Sequence, residues 1–186
     1  MEEQKRKPTG RTGAAPGARP PRAGGSGGRH TEPKEFEQKI LDLSRVTRVT
    51  AGGKRMSFRC TLVIGDKKGR VGLGVAKGVD VQIAIDKAYR QAKKNVLRVP
   101  LTHATIPHPI QVKFGSAMVL LKPAPSGTGL KCGGAVRMVL EFAGVPNASS
   151  KILNSSNKIN IAKATFEAIK QLRLPKKPAV AQAVAA

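Results

Sequence analysis

Aromatic residues are scarce in this sequence: they make up 3% of the 186 residues, and tryptophan is absent. Proteins that bind single-stranded nucleic acid commonly stack the bases on rows of aromatic side chains. The scarcity therefore argues against that binding mode. Cysteine is also rare, since Cys60 and Cys132 are the two in the chain. They are too few for a disulfide scaffold and too far apart for a metal knuckle, so we interpret both as small buried residues.

Long apolar runs are also missing. No stretch approaches the roughly 20 residues that a membrane-spanning helix needs. The N-terminus lacks the apolar core of a signal peptide. We therefore expect a soluble, cytoplasmic protein with no membrane partner.

Carboxylates are few, since 11 Asp and Glu stand against 34 Lys and Arg and leave a net charge of +23. Such a charge raises a strong positive field around a compact protein and predicts a polyanionic partner. Because the chain has few aromatic residues, we expect the contact to run through the phosphates and the shape of a nucleic acid.

Residues 1–35 contain no Val, Ile, Leu, Phe, Trp or Tyr, and Gly, Pro and Arg dominate them. A segment without apolar side chains cannot offset the conformational entropy lost on ordering. We therefore predict a disordered basic arm at 1–35, and a flexible tail at 174–186. Two folded domains, 36–100 and 101–173, are expected between them, with the junction among the prolines near residues 97–109.

The first predicted domain has three strands followed by a helix (βββα). Apolar residues alternate with polar ones from Met56 to Ile64 and again from Val71 to Val75, which is the period of strands with one buried face. The turn sequence GDKKG lies between them and predicts a hairpin. Asp80 is expected to cap the following helix, whose alanines at a spacing of four form its inner face.

The second predicted domain reads strand, strand, helix, strand, helix (ββαβα). Val112 and Phe114 alternate with polar residues, and AMVLLK forms the next strand. Gly144 is expected to end the first helix of this domain, and Asn157 to cap the second. Together the two domains predict an α+β fold.

The stretch SGTGLKCGGA, residues 126–135, places four glycines just before a predicted helix. Such turns expose backbone N–H groups that hold anions. Three interpretations compete: the phosphate loop of a small-molecule kinase, a purely structural turn, and a loop that binds an RNA phosphate. Phosphoryl transfer needs carboxylates for magnesium, yet beyond residue 87 only Glu141 and Glu167 are acidic. We favour RNA binding and predict no catalytic residue, metal or cofactor.

Basic residues cluster in further places. We count the basic residues of the turns VTRVTAGGKR and GDKKGR together and favour RNA contact, the alternative being solvated turns that keep sheet edges apart. A helix face with Lys87, Arg90 and Lys94, joined by Lys93 and preceded by Lys77, either spans phosphates or only confers solubility. The predicted RNA-binding residues are Arg45, Arg48, Gly52, Gly53, Lys54, Arg55, Lys67, Lys68, Arg70, Lys77, Lys87, Arg90, Lys93, Lys94, Lys122, Gly127, Thr128, Gly129, Lys131, Gly133, Gly134 and Arg137.

Several of these motifs, taken in order, resemble the ribosomal protein S5 family of the bacterial small subunit. RVTRVTAGGKR, GDKKGRVGLGVAKG and AIDKAYRQAKKN are similar to its N-terminal domain, and TIPHP, GTGLKCGGAVRMVLEFAGV and SSNKINIAKAT to its C-terminal domain. The resemblance covers roughly residues 36–173. It implies an N-terminal domain like those that bind double-stranded RNA, and a C-terminal domain with a left-handed βαβ crossover, against the right-handed default.

The resemblance also implies a function. Family members are structural proteins that bind small-subunit ribosomal RNA, touch ribosomal proteins S4 and S8, and help line the channel through which messenger RNA enters. They influence translational accuracy, bind spectinomycin near a glycine-containing hairpin that corresponds to Arg45–Arg55 here, and are not homo-oligomers. The implied S4 contact includes Gly127, Gly129 and Arg137. A free RNA chaperone or regulator that uses the same basic faces is the alternative.

Overall fold

Two four-stranded sheets account for the strands of the computed structural model, which describes residues 35–102 and 104–174. The elements of the first half are β1 (Glu37–Thr50), β2 (Gly53–Gly65), β3 (Arg70–Gly78), α1 (Val81–Lys94) and β4 (Val96–Arg98). The elements of the second half are β5 (Ile110–Phe114), β6 (Ala117–Pro123), β7 (Leu130–Lys131), α2 (Gly134–Ala143), β8 (Ala148–Ile152) and α3 (Lys158–Gln171). The predicted arm, apart from its last residue, and nearly all of the predicted tail lie outside the described residues.

The first sheet is antiparallel, with strand order β1-β2-β3-β4. Thr50 pairs with Gly53, so Ala51 and Gly52 form the tight turn between β1 and β2. The GDKKG sequence closes the second hairpin, as predicted. The short strand β4 was not predicted, because three residues are too few to show a period.

Helix α1 begins and packs as its sequence predicts. The Asp80 side chain accepts a hydrogen bond from the Val81 N–H, and Ala84, Ala88 and Ala92 are buried. The glycines of β3 allow the helix to lie close to the sheet: a Cβ atom at Gly72 would stand 2.6 Å from the Ala92 carbonyl oxygen. The space beside these glycines is therefore filled by α1 itself.

The second sheet has strand order β5-β6-β8-β7, and β7 runs parallel to β8 with α2 between them. This confirms the predicted α+β class and adds β7, which has two residues and lies inside the glycine stretch. Gly144 ends α2 in the left-handed region with φ 79°, and the Asn157 side chain caps α3 by accepting from the Ile159 N–H. The left-handed crossover stays a prediction.

One apolar core joins the two halves. Val63 and Leu73 of the first sheet belong to the same buried cluster as Val136 and Phe142 of α2. A Cβ atom at Gly144 would collide with the Lys67 carbonyl oxygen, and the Lys67 N–H donates to the Phe142 carbonyl at 3.2 Å. The described residues thus belong to a single compact unit, and the domain boundary near residues 97–109 stays a prediction.

Candidate nucleic-acid interface

The far half of the β1–β2 hairpin extends beyond the core. Residues of β1 and β2 near the turn are exposed, while Cys60, Leu62 and Ile64 at the other end of β2 are fully buried. Arg45, Arg48, Lys54 and Arg55 all lie in this exposed half, as predicted. The strands hold these cations on a regular backbone rather than on a loose loop.

The register of the hairpin sorts its cations onto two faces, because directly paired residues point to the same side of a sheet. Arg48 pairs with Arg55 on the face that farther down carries Val63. On the opposite face Val49 pairs with Lys54 and Arg45 pairs with Phe58. The hairpin therefore presents positive charge on both sides.

The charge of the hairpin has no internal counterpart. The sequence contains no Asp or Glu between Asp42 and Asp66. Among the described ion pairs, none includes Arg45, Arg48, Lys54 or Arg55. Like charges directly opposite each other, as in the Arg48–Arg55 pair, destabilise a sheet. An arrangement that carries this cost in the free protein is favourable once an anion binds between the two side chains.

Lys77 lies on β3 beside this hairpin, rather than in the helix row with which the sequence groups it. It pairs with Arg59, which in turn pairs with Ser44, and all three lie on the same face as Arg48. Helix α1 packs on the opposite face, against Gly72. Arg59 itself was missed by the sequence analysis, because a single arginine among alternating strand residues gives no sign of its neighbours.

The two basic turns, whose cations we counted together, lie at opposite ends of β2. The 13 residues of β2, at about 3.3 Å each, separate them by about 40 Å. In the second turn, the Lys67 Nζ lies 2.6 Å from a Glu37 carboxylate oxygen, and the Arg70 Nε lies 2.6 Å from an Asp66 carboxylate oxygen. These two cations therefore have internal partners, whereas Lys68 is exposed.

Asp66 organises that second turn. Its carboxylate accepts hydrogen bonds from the Lys68 N–H, the Arg70 N–H and the Arg70 side chain. Burial raises the pKa of this carboxyl, but the hydrogen bonds and the charge of Arg70 outweigh burial and lower the pKa from 3.8 to about 2. The turn is built around a carboxylate that stays ionised.

The basic row on α1 is formed as predicted. Lys87, Arg90, Lys93 and Lys94 are all exposed, and α1 buries its alanine face instead. Lys93 and Lys94 lie in the last turn of the helix, where positive charge also interacts favourably with the helix dipole. This second role is local and does not require RNA.

The glycine stretch forms an exposed loop, β7 and the start of α2. Gly127 and Gly129 adopt positive φ angles of 88° and 71°, which other residues rarely adopt, and no atom lies within 4 Å of a Cβ built on either. Gly133 is the N-cap of α2 and provides no side-chain hydrogen bond. Arg137 is exposed in the first turn of α2, at the end of the helix where backbone N–H groups have no partner within the helix.

Lys122 and Lys131 come together near this loop, as predicted. Both pair with Ser149 of β8, one from each side. Two strand spacings set their Cα atoms about 10 Å apart on the same face of the sheet. Because Thr128 and Gly129 precede β7 directly, the loop and the two lysines lie at the same end of the sheet.

Asn147 holds the glycine loop in place and was missed by the sequence analysis. The residue is 8% exposed, and its Oδ1 accepts from the Gly129 N–H at 2.9 Å. Its Nδ2 donates to the Ala104 carbonyl at 3.4 Å, and the Thr105 hydroxyl donates to its backbone carbonyl at 2.9 Å. Asn147 thus fixes the loop against the segment that joins β4 to β5. A lone asparagine after a proline gave no sign of this.

The described residues show no further candidate site among their metal-ligating side chains. Within 35–102 and 104–174, no group of three His, Cys, Asp or Glu side chains could hold a metal ion. No helix in the same ranges is long and apolar enough to cross a membrane. Cys60 is fully buried and Cys132 half-buried, and burial raises the pKa of both thiols. Both cysteines thus behave as packing residues.

Comparison with known proteins accounts for both halves of the fold. Residues 36–100 match the family model described as "Ribosomal protein S5, N-terminal domain", and residues 112–183 match "Ribosomal protein S5, C-terminal domain". The small ribosomal subunit protein uS5 of Thermotoga neapolitana is 46% identical over 151 residues, which cover 81% of this chain and 85% of the relative. Such families are structural and not enzymatic. The chain belongs to the ribosomal protein S5 family.

Proposed function

We propose that this chain is a structural protein of the small ribosomal subunit, bound there to small-subunit ribosomal RNA in the cytoplasm. The observation that carries the proposal is the β1–β2 hairpin, which extends from the core with four exposed cations and no described ion pair among them. Family membership points to the small ribosomal subunit, and the exposed cations of the hairpin are the groups that would bind RNA phosphates.

The proposed mechanism is electrostatic clamping. Phosphates of a folded RNA repel each other, and cationic side chains that lie between them offset this repulsion and release bound counterions. The hairpin cations, the α1 row and the lysines beside Ser149 lie in different parts of the molecule. They would therefore hold separate RNA segments together, which favours the compact fold of the RNA.

The glycine loop is the proposed contact with ribosomal protein S4. Gly127 and Gly129 have open space around them, and Arg137 is exposed in the first turn of α2. A loop without side chains allows a partner backbone to approach closely. The proposal also includes contact with protein S8, lining of the messenger RNA channel, support of translational accuracy and spectinomycin binding near the hairpin. The protein is proposed to be monomeric.

A free RNA chaperone or regulator is the second candidate, because the same basic faces would serve it. Sedimentation of a cell lysate separates the two. The proposal predicts that the chain sediments with small subunits at low and moderate salt. A chain found mainly in the ribosome-free fraction would contradict it.

The RNA contact is tested by titrating the full chain with small-subunit ribosomal RNA over a series of salt concentrations. We expect affinity to fall steeply with salt. The double variant Lys54→Ala with Arg55→Ala should make the plot of log K against log salt less steep, reducing the magnitude of its slope by about 1.5. The matched control is Lys39→Ala with Lys163→Ala, which removes the same charge away from the exposed half of the hairpin. Affinity that does not depend on salt would refute the clamping mechanism.

A further inference from the structure

The outer face of the second sheet carries one exposed lysine on each of its strands. Helices α2 and α3 cover the inner face, where Val112, Val119 and Leu121 are buried in the core. The outward positions alternate with these. They include four exposed lysines: Lys113 on β5, Lys122 on β6, Lys131 on β7 and Lys151 on β8.

No carboxylate lies on this face. Beyond Asp86 the sequence has Glu141 and Glu167 as its acidic residues, and both belong to the helices that cover the inner face. Among the described ion pairs, none includes any of the four lysines. The topology thus separates the charges of this half of the chain, so that the charged side chains on this sheet face are all positive.

The centre of the face is partly apolar. Met118 pairs with Lys113, and Leu120 pairs with Gln111 on one side and Lys151 on the other. Met118 and Leu120 are half-buried, and Leu153, which follows β8, is 45% exposed. In a freely solvated face the centre would be expected to be polar. Apolar side chains ringed by lysines are typical of a surface that is covered by a partner.

We propose that this outer sheet face binds the backbone of ribosomal RNA, as a contact separate from the hairpin, and that Lys113 and Lys151 extend the site of Lys122 and Lys131. The inference rests on the proposed function. An RNA strand is favoured over an acidic protein because exposed lysine–carboxylate pairs contribute little to affinity, whereas each neutralised phosphate releases counterions. Riboses of the same strand would cover Leu120 and Leu153.

The test uses the full chain with Lys113→Gln and Lys151→Gln, titrated with small-subunit ribosomal RNA over a salt series. The matched control is Lys39→Gln with Lys163→Gln, which removes two positive charges away from this face. We expect the first variant to reduce the magnitude of the slope of log K against log salt by about 1.5 and to weaken binding at low salt. The control should change the slope by less than half of that amount. Equal slopes for the two variants would overturn the inference.

Three further outcomes are distinguished. If the first variant binds naked RNA like the parent but enters assembled subunits poorly, the face contacts an acidic protein and the inference is wrong. If the parent itself shows no salt-dependent binding, the proposed function fails with it. If the parent binds and the hairpin variant alone lowers the slope, only the inference fails. Thermal unfolding of each variant checks that the fold is intact.

Discussion

Single polar residues hold the exposed loops of this protein in place. Asn147 is the clearest case, because its side chain and backbone link the glycine loop, Ala104 and Thr105. Such a residue has no chemical signature in the sequence. The role of Asn147 depends on which distant segments the fold brings next to it. A single substitution of its side chain can test that role.

We predict that Asn147→Ala lowers the free energy of unfolding by about 1–3 kcal/mol, because the Gly129 N–H loses its partner and a buried amide is removed. Urea unfolding measures the change. The control is Asn154→Ala, whose side chain is exposed and for which we expect a change within about 0.5 kcal/mol. Equal effects of the two substitutions would show that Asn147 does not stabilise the loop.

Asp66 gives a prediction for pH dependence. Its pKa is lowered to about 2 in the folded protein, below the value of about 3.9 in an unfolded chain. A lowered pKa contributes stability above the unfolded value, and that stability is lost as the pH falls towards 2. We expect the parent to lose about 1–3 kcal/mol more than Asp66→Asn between about pH 5 and pH 2. Parallel pH profiles in urea unfolding would contradict this.

At the scale of elements, close approach between helix and sheet decides where α1 lies. A Cβ atom at Gly74 would collide with the Ala88 backbone carbonyl, so β3 and α1 meet without side chains between them. The alternating glycines were visible in the sequence. That α1, rather than RNA, fills the space beside them follows only from the packing.

We predict that Gly74→Ala lowers the free energy of unfolding by about 1–3 kcal/mol, because an added methyl group forces the helix away from the sheet. The matched control is Gly134→Ala in the first turn of α2, where no atom lies within 4 Å of the added Cβ. That control should be neutral or stabilising by up to about 1 kcal/mol. Chemical denaturation compares the two, and similar losses would count against close helix–sheet packing.

The elements also show where periodicity fails. Strand β7 has two residues and β4 has three, which is shorter than the roughly four residues of alternation that a strand prediction needs. Both strands pair with neighbours that are well defined in the sequence. They form because β3 and β8 have backbone groups free to pair at their edges. A sequence pattern within two or three residues does not show that such an edge lies nearby.

At the scale of the whole molecule, the shared core predicts joint unfolding. Val63 and Leu73 from the first sheet pack in the same cluster as residues of α2, α3, β5 and β6. Removing either half would expose the apolar surface of the other. We therefore expect hydrogen exchange of the most protected amides in β2 and in β6 to give opening free energies within about 1 kcal/mol of each other. Opening of residues 36–100 well before the remainder would contradict a shared core.

The distribution of charge also belongs to this scale. The joint count of the two basic turns and the grouping of Lys77 with α1 both follow the order of the chain. The structure places the turns at opposite ends of β2 and Lys77 beside Arg59. It also assembles Lys113 and Lys151 with Lys122 and Lys131 from four strands. Nearness in sequence and nearness on a surface differ most in sheets, because neighbouring strands come from distant parts of the chain.

The amino-acid order is enough to predict the α+β class, the hairpin with its cations, the caps at Asp80 and Asn157, the stop at Gly144, and the family to which the chain belongs. These features are local: alternation, capping and turn chemistry act over a few residues, and motifs are read in order. The folded chain alone shows which cations share a face, which segments Asn147 holds together, and that the two halves share one core. Those features depend on register and packing between segments far apart in the chain, for which the order of residues carries no direct signal.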